Sequence, residues 1–168
     1  MSLAVLVLLF VTLQRAGELV LARANTSGLL KRGGIEMGAS HYPVMVALHA
    51  SWLAALWFFG WDTQVNLWLL VAYGLLQAFR IWILATLGRR WTTRIIIVPG
   101  ETLVTGGPYR LLRHPNYLLV LLEVPLLPMV FGLPWLALLF GLLNAAMLAW
   151  RIRIEEGALS ELRGIQQR

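Results

Sequence analysis

Residues 106–117, GGPYRLLRHPNY, gather two arginines, two tyrosines, a histidine and an asparagine within twelve positions. Pro115 can open a helix at its first turn, because the missing N–H is one the helix would leave unpaired. Arg110 and Arg113 lie three apart, as do His114 and Tyr117, so each pair shares a face of such a helical entry. A helix N-terminus beside arginines and an aromatic ring suits a ligand that carries a carboxylate or phosphate and a flat ring. The same pattern also suits a basic juxtamembrane loop that touches anionic lipid headgroups.

A second cluster, RIRIEE at residues 151–156, sets Arg151 four positions before Glu155. One reading is a solvated, salt-bridged helix face. The other is a helix that folds back under a bundle, its carboxylates toward the positive end of a ligand and its arginine toward an anionic substrate. A third set is embedded in apolar sequence: Glu123, Arg80, and the pair Arg15 and Glu18. Ionisable groups inside a membrane are costly unless paired, so they mark function or pairing. Arg15 and Glu18 read as an internal ion pair, and Arg80 as a residue that snorkels. Glu123 reads equally as a substrate contact. Residues 25–43 add Glu36, His41 and Tyr42, where a lone histidine beside a tyrosine reads first as structural.

These groups must be positioned by membrane helices. Of 168 residues, 59% are hydrophobic and 13% charged. The mean hydropathy is +0.73. Several apolar runs approach the roughly 20 residues a spanning helix requires. We read five spans, at about residues 2–22, 43–60, 64–87, 116–131 and 134–150. The fourth is short and interrupted by Pro125 and Pro128. An exposed amphipathic helix, RIRIEEGALSELRGIQQR, follows the fifth, and IIIVPG at residues 95–100 reads as a short extended or interfacial piece ending at the proline. The expectation is one all-α integral membrane domain over residues 1–168. Residues 1–87 supply three helices and their loops. Residues 88–168 supply a ligand-binding loop, a helical hairpin and a C-terminal helix.

Charge sets the orientation. Arg23, Lys31 and Arg32 lie between the first two spans. Arg89, Arg90, Arg94, Arg110 and Arg113 lie between the third and fourth, and Arg151, Arg153, Arg163 and Arg168 follow the fifth. The connections GWDT and FGLP hold no Lys or Arg. The positive-inside rule then expects the N-terminus outside and the C-terminus in the cytoplasm. This distribution turns the net charge of +6 away from a nucleic-acid partner and toward the bilayer. The first run lacks a basic flank and is interrupted by Arg15 and Glu18, so it does not read as a cleaved signal. There is no cysteine, and three histidines in separate segments argue for no metal site.

VTGGPYRLLRHPNYL, followed by a hairpin and RIRIEEGAL, resembles the isoprenylcysteine carboxyl methyltransferase family of membrane methyltransferases. The segments RAGELVLARAN, GGIEMGASHYPVMV and GRRWTTRIIIVPG are most similar to a small bacterial branch, some of whose members methylate alkylpyrones or alkylresorcinols. The resemblance implies a cytoplasm-facing pocket for S-adenosylmethionine, closed by the C-terminal helix, and a lipid-facing tunnel for an apolar acceptor in the bacterial inner membrane. It implies cofactor contacts from Glu101, Thr102, Leu103, Val104, Tyr109, His114, Pro115, Asn116, Tyr117 and Glu155, with Arg151 facing the substrate. Arg151 and Glu155 are the catalytic expectation, with Arg153 and Glu156 as the alternative register. The short chain with its own N-terminal half departs from the eukaryotic enzymes and argues against a prenylcysteine acceptor. Rival readings are an NADPH-dependent sterol-type reductase, a phospholipid N-methyltransferase and a lipid-binding protein without activity.

Overall fold

A computed structural model describes residues 1–166, with side chains through residue 158. Among the described residues there are five α-helices: α1 (Leu3–Lys31), α2 (Tyr42–Gly60), α3 (Leu67–Leu87), α4 (Pro115–Val130) and α5 (Pro134–Gln166). Two short strands, β1 (Ile35–Met37) and β2 (Ile95–Ile97), pair antiparallel at one end, with Glu36 opposite Ile96. Sequence reading anticipated the extended IIIVPG piece but not its partner in the loop after α1.

Four helices, α1, α2, α3 and α5, are long and apolar enough to cross a membrane. At about 1.5 Å per residue, the 16-residue α4 spans roughly 24 Å, short of the ~30 Å hydrocarbon core. Their outward faces are apolar: Phe58, Trp68, Leu75 and Leu142 are all exposed, as lipid-facing residues must be. The chain is a multi-pass membrane protein.

Local chemistry sets the helix ends. The Ser2 hydroxyl accepts from the Val5 amide at 3.3 Å and caps α1. The Asn66 side chain accepts from the amides of Trp68 and Leu69 and caps α3. The Asn66 amide in turn donates to the Val130 carbonyl at 2.9 Å, which ties the start of α3 to the end of α4.

Three features differ from the sequence expectation. Helix α1 runs to Lys31, well past residue 22. It leaves the apolar span but remains anchored, because Asn25 donates to the carbonyls of Gly88 and Trp91 at 3.2 and 2.8 Å.

Helix α4 is continuous through Pro125 and Pro128. Pro128 has no N–H to give the carbonyl four residues earlier, Val124. The Trp52 indole of α2 donates to that carbonyl at 3.1 Å and replaces the lost bond. Gly141 of α5 lies against the Pro125 ring, so the two helices pack closely where the backbone is irregular.

The fifth span and the C-terminal helix are one uninterrupted α5. No glycine or proline stands between Trp150 and Glu156 to break the helix. The segment thus does not fold back; it continues in line beyond the apolar region. Gly157 onward carries the helix on to Gln166, and the side chains of Arg163 and Arg168 lie outside the described residues.

The interior has two apolar clusters. One joins Leu8, Trp52, Leu56, Tyr73, Leu127 and Phe131 near the hairpin end. The other joins Ala22, Ile83, Trp91 and Leu119 near the loop end.

Candidate functional site

A cleft of about 330 Å³ opens at the loop end, among β2, the loop that follows it, the start of α4 and residues 151–156 of α5. That volume lies within the range of small-ligand sites.

The loop enters the cleft under constraint. Pro108 and Tyr109 lie in a tight turn whose Gly107 adopts φ 53, and a side chain at this glycine would run into Thr86 of α3. Tyr109 packs against the cluster of Ala22, Ile83, Trp91 and Leu119. Burial first, and then the Glu155 carboxylate, push the Tyr109 hydroxyl up to about 12. It is therefore a hydrogen-bond donor throughout the neutral range.

His114 precedes α4 and stacks on Tyr117, with ring centroids 5.3 Å apart and planes 13° from parallel. Its Nε2 is buried and has no partner among the described residues. Tyr117 donates its hydroxyl hydrogen to Glu155 and accepts from Arg151 Nε at 3.1 Å. One tyrosine thus links two charged residues of α5, Arg151 and Glu155, to the entry of α4.

Arg151 is buried, at 6% exposure. Its guanidinium lies 5.7 Å from the Tyr117 ring, and Nη1 meets the thioether sulfur of Met45 on α2 at 2.9 Å. No carboxylate forms an ion pair with it among the described residues. A thioether is a weak acceptor, so apart from the Nε bond to the Tyr117 hydroxyl this buried cation meets no strong acceptor among the described residues. Arg153 is exposed, and Glu156 pairs with Arg113 at 3.2 Å on the surface. The two registers that sequence left open thus have different surroundings.

Of the remaining expected contacts, Glu101, Thr102, Leu103, Val104 and Asn116 all line the cleft. Glu101 is engaged by Arg32 at 2.8 Å and Arg90 at 3.2 Å, and the Thr102 carbonyl accepts from Arg90 at 2.7 Å. These bonds clamp the loop; sequence reading had not singled out Arg90 for that task. Pro115 is buried at the first turn of α4 and does not line the cleft.

Glu123 stands apart. It is not a cleft residue but the centre of a buried knot between α1, α3 and α4. It accepts from Arg80, from Arg15 at 2.5 Å, from Gln77 at 2.8 Å and from Tyr73 at 3.1 Å. Glu18 completes the knot with bonds from Arg15 at 2.9 Å and Arg80 at 3.1 Å. Arg80 is therefore buried and paired, not snorkelling. Two cations and two anions balance inside the membrane, and four donors occupy the carboxylate proposed from sequence for substrate. No group of three or more potential metal ligands occurs among the described residues.

The profile of the isoprenylcysteine carboxyl methyltransferase (ICMT) family matches residues 68–161, which span α3 from its second residue, the cleft loop, α4 and the part of α5 that faces it. A Bacillus subtilis (strain 168) protein, "Uncharacterized protein YpbQ", is 39% identical over 166 residues, covering 93% of this chain and 96% of that one. No solved structure matches the chain.

Proposed function

Because the chain belongs to the isoprenylcysteine carboxyl methyltransferase family and is a membrane methyltransferase, we propose that it moves the methyl group of S-adenosylmethionine to an oxygen of a lipophilic acceptor. The acceptor oxygen is an enol, phenol or carboxylate, as in alkylpyrones and alkylresorcinols. We place the reaction at the cytoplasmic face of a bacterial inner membrane, with the N-terminus outside. The observation that carries the reading is Arg151: a buried guanidinium without an anion, at the boundary between the polar cleft and the apolar helices.

The cleft residues fit the cofactor's chemistry. The stacked His114 and Tyr117 rings suit a flat heterocycle, and the unpartnered Nε2 of His114 is free to bond a polar edge. Glu155 supplies the negative charge that a sulfonium requires nearby, and Tyr117 holds that carboxylate in place. Bound S-adenosylmethionine would supply an electrophilic methyl on a positively charged sulfur. Displacement at such a carbon depends on alignment and exclusion of water more than on a strong protein nucleophile. Arg151 would hold the acceptor oxygen as an anion on the membrane side, while Tyr109 and the clamped loop cover the solvent side.

Calorimetric titration of the detergent-purified protein with S-adenosylhomocysteine, alongside NADPH, tests the reading. Saturable binding of S-adenosylhomocysteine alone is expected. Binding of NADPH alone would move the protein to the reductases.

A further inference from the structure

We infer that His41 accepts the proton of the acceptor's hydroxyl through Nε2, on the side of Arg151 that faces α2. The inference rests on the oxygen-acceptor reading above and adds a residue from the N-terminal half to it.

His41 sits in the turn that leads into α2, and its side chain is 1% exposed. Nδ1 bonds the Gly38 carbonyl. A carbonyl can only accept, so Nδ1 carries the hydrogen. In the neutral ring Nε2 then presents a lone pair. That nitrogen is buried and has no partner among the described residues. A buried acceptor without a donor is unfavourable, and where one persists it points to a missing partner.

The surroundings indicate which partner. The ring packs edge-on to Trp150 with centroids 6.1 Å apart, one residue before Arg151. Met45, one turn along from His41, receives Arg151 Nη1. His41 and Arg151 therefore converge on the same junction of α2 and α5. The charged groups acting on the ring are Arg151 of α5 and Glu36 of β1.

The turn is built for this approach. Gly38 has φ 59, and a Cβ there would come within 2.6 Å of the Ile154 side chain on α5. Only a glycine allows the His41 turn to rest directly on the helix that carries Arg151.

Together the two residues supply what a neutral phenol or enol lacks. The O–H bond breaks toward Nε2 of His41. The oxygen's electron pair forms the new bond to the methyl carbon. The carbon–sulfur bond breaks with its pair going to sulfur, which becomes a neutral thioether. Arg151 stabilises the negative charge on oxygen during this exchange. It also disfavours a lasting imidazolium beside it, so the proton passes on to solvent.

His41→Asn is the informative variant, because an asparagine amide can keep the bond to the Gly38 carbonyl but has nothing in place of Nε2. The probes are pentadecylresorcinol, protonated at neutral pH, and a nitro-substituted analogue that is already ionised. With the resorcinol, turnover by the variant should fall on the order of 100-fold. With the nitro analogue it should stay within about threefold of the wild type, since no proton remains to be taken. The nitrophenol's visible absorbance gives a second readout without turnover. In the protein saturated with S-adenosylhomocysteine, its apparent pKa should fall in the variant, because the neutral imidazole no longer accepts from the protonated phenol.

Equal losses on both probes, or no loss on either, would overturn the proposal. If the wild type binds S-adenosylhomocysteine but methylates neither probe, the oxygen-acceptor reading fails and His41 falls with it. If the variant alone loses S-adenosylhomocysteine binding, His41 is a structural residue and the proposal is wrong while the methyltransferase reading stands.

Discussion

Tyr117 bridges Glu155 and Arg151, donating to the carboxylate and accepting from the guanidinium. The hydroxyl thus joins an anion and a cation that lie four residues apart on α5. The arrangement holds both charges toward the cleft without letting them neutralise each other directly. A direct Arg151–Glu155 pair would satisfy both and leave little for a ligand.

Removing that bridge should weaken cofactor binding before it harms folding. Tyr117→Phe leaves Glu155 without its donor while keeping the ring stacked under His114. Affinity for S-adenosylhomocysteine is expected to fall about tenfold, the value of one hydrogen bond to a charged group. Glu155→Gln should weaken S-adenosylmethionine more than S-adenosylhomocysteine, because only the former carries the sulfonium charge. Calorimetry on both ligands measures the difference.

Arg151→Lys keeps a positive charge but loses the planar fork and the Nε bond to Tyr117. Turnover of a phenolic acceptor should drop on the order of 100-fold. S-adenosylhomocysteine affinity should stay within about threefold if the guanidinium serves the acceptor and not the cofactor. Equal losses in both would reassign Arg151 to the cofactor site.

Glu123→Gln should act on stability and leave the chemistry of surviving protein intact. The substitution leaves Arg15 and Arg80 sharing Glu18 alone inside the membrane. The expected cost is about 3 kcal/mol, since breaking a buried pair strands a charge. A thermal melt in detergent, read beside kcat of the remaining folded fraction, separates this from a substrate role.

Trp52→Phe tests how α4 survives its prolines. The indole N–H fills the acceptor that Pro128 leaves open at Val124. Its loss should cost about 1 kcal/mol, with the apolar packing retained. Adding Pro128→Ala should recover most of it, because alanine restores the backbone donor. A melt of the single and double variants decides.

Orientation has its own test. Reporters fused after the C-terminus and within the FGLP connection should read as cytoplasmic and periplasmic, respectively. The reverse pattern would put the cleft on the wrong side for a soluble cofactor.

Much of this molecule is legible along the chain because helices that face lipid need long apolar runs. That property is local. The apolar spans and the pairing of Arg15 with Glu18 follow from residues close in sequence. The family could be read from the same motifs.

What tertiary structure alone decided are relationships across 30 residues or more. Glu123 reads as a lone intramembrane acid until α1 and α3 bring Arg15, Arg80, Gln77 and Tyr73 around it. Pro128 reads as a break until α2 supplies Trp52. His41 reads as a lone histidine beside a tyrosine until the Gly38 turn rests on α5 and sets the ring against Trp150. A polar group buried away from water, such as the Glu123 carboxylate or the Val124 carbonyl, must find its partner in three dimensions, and no spacing along the sequence records which helix provides it.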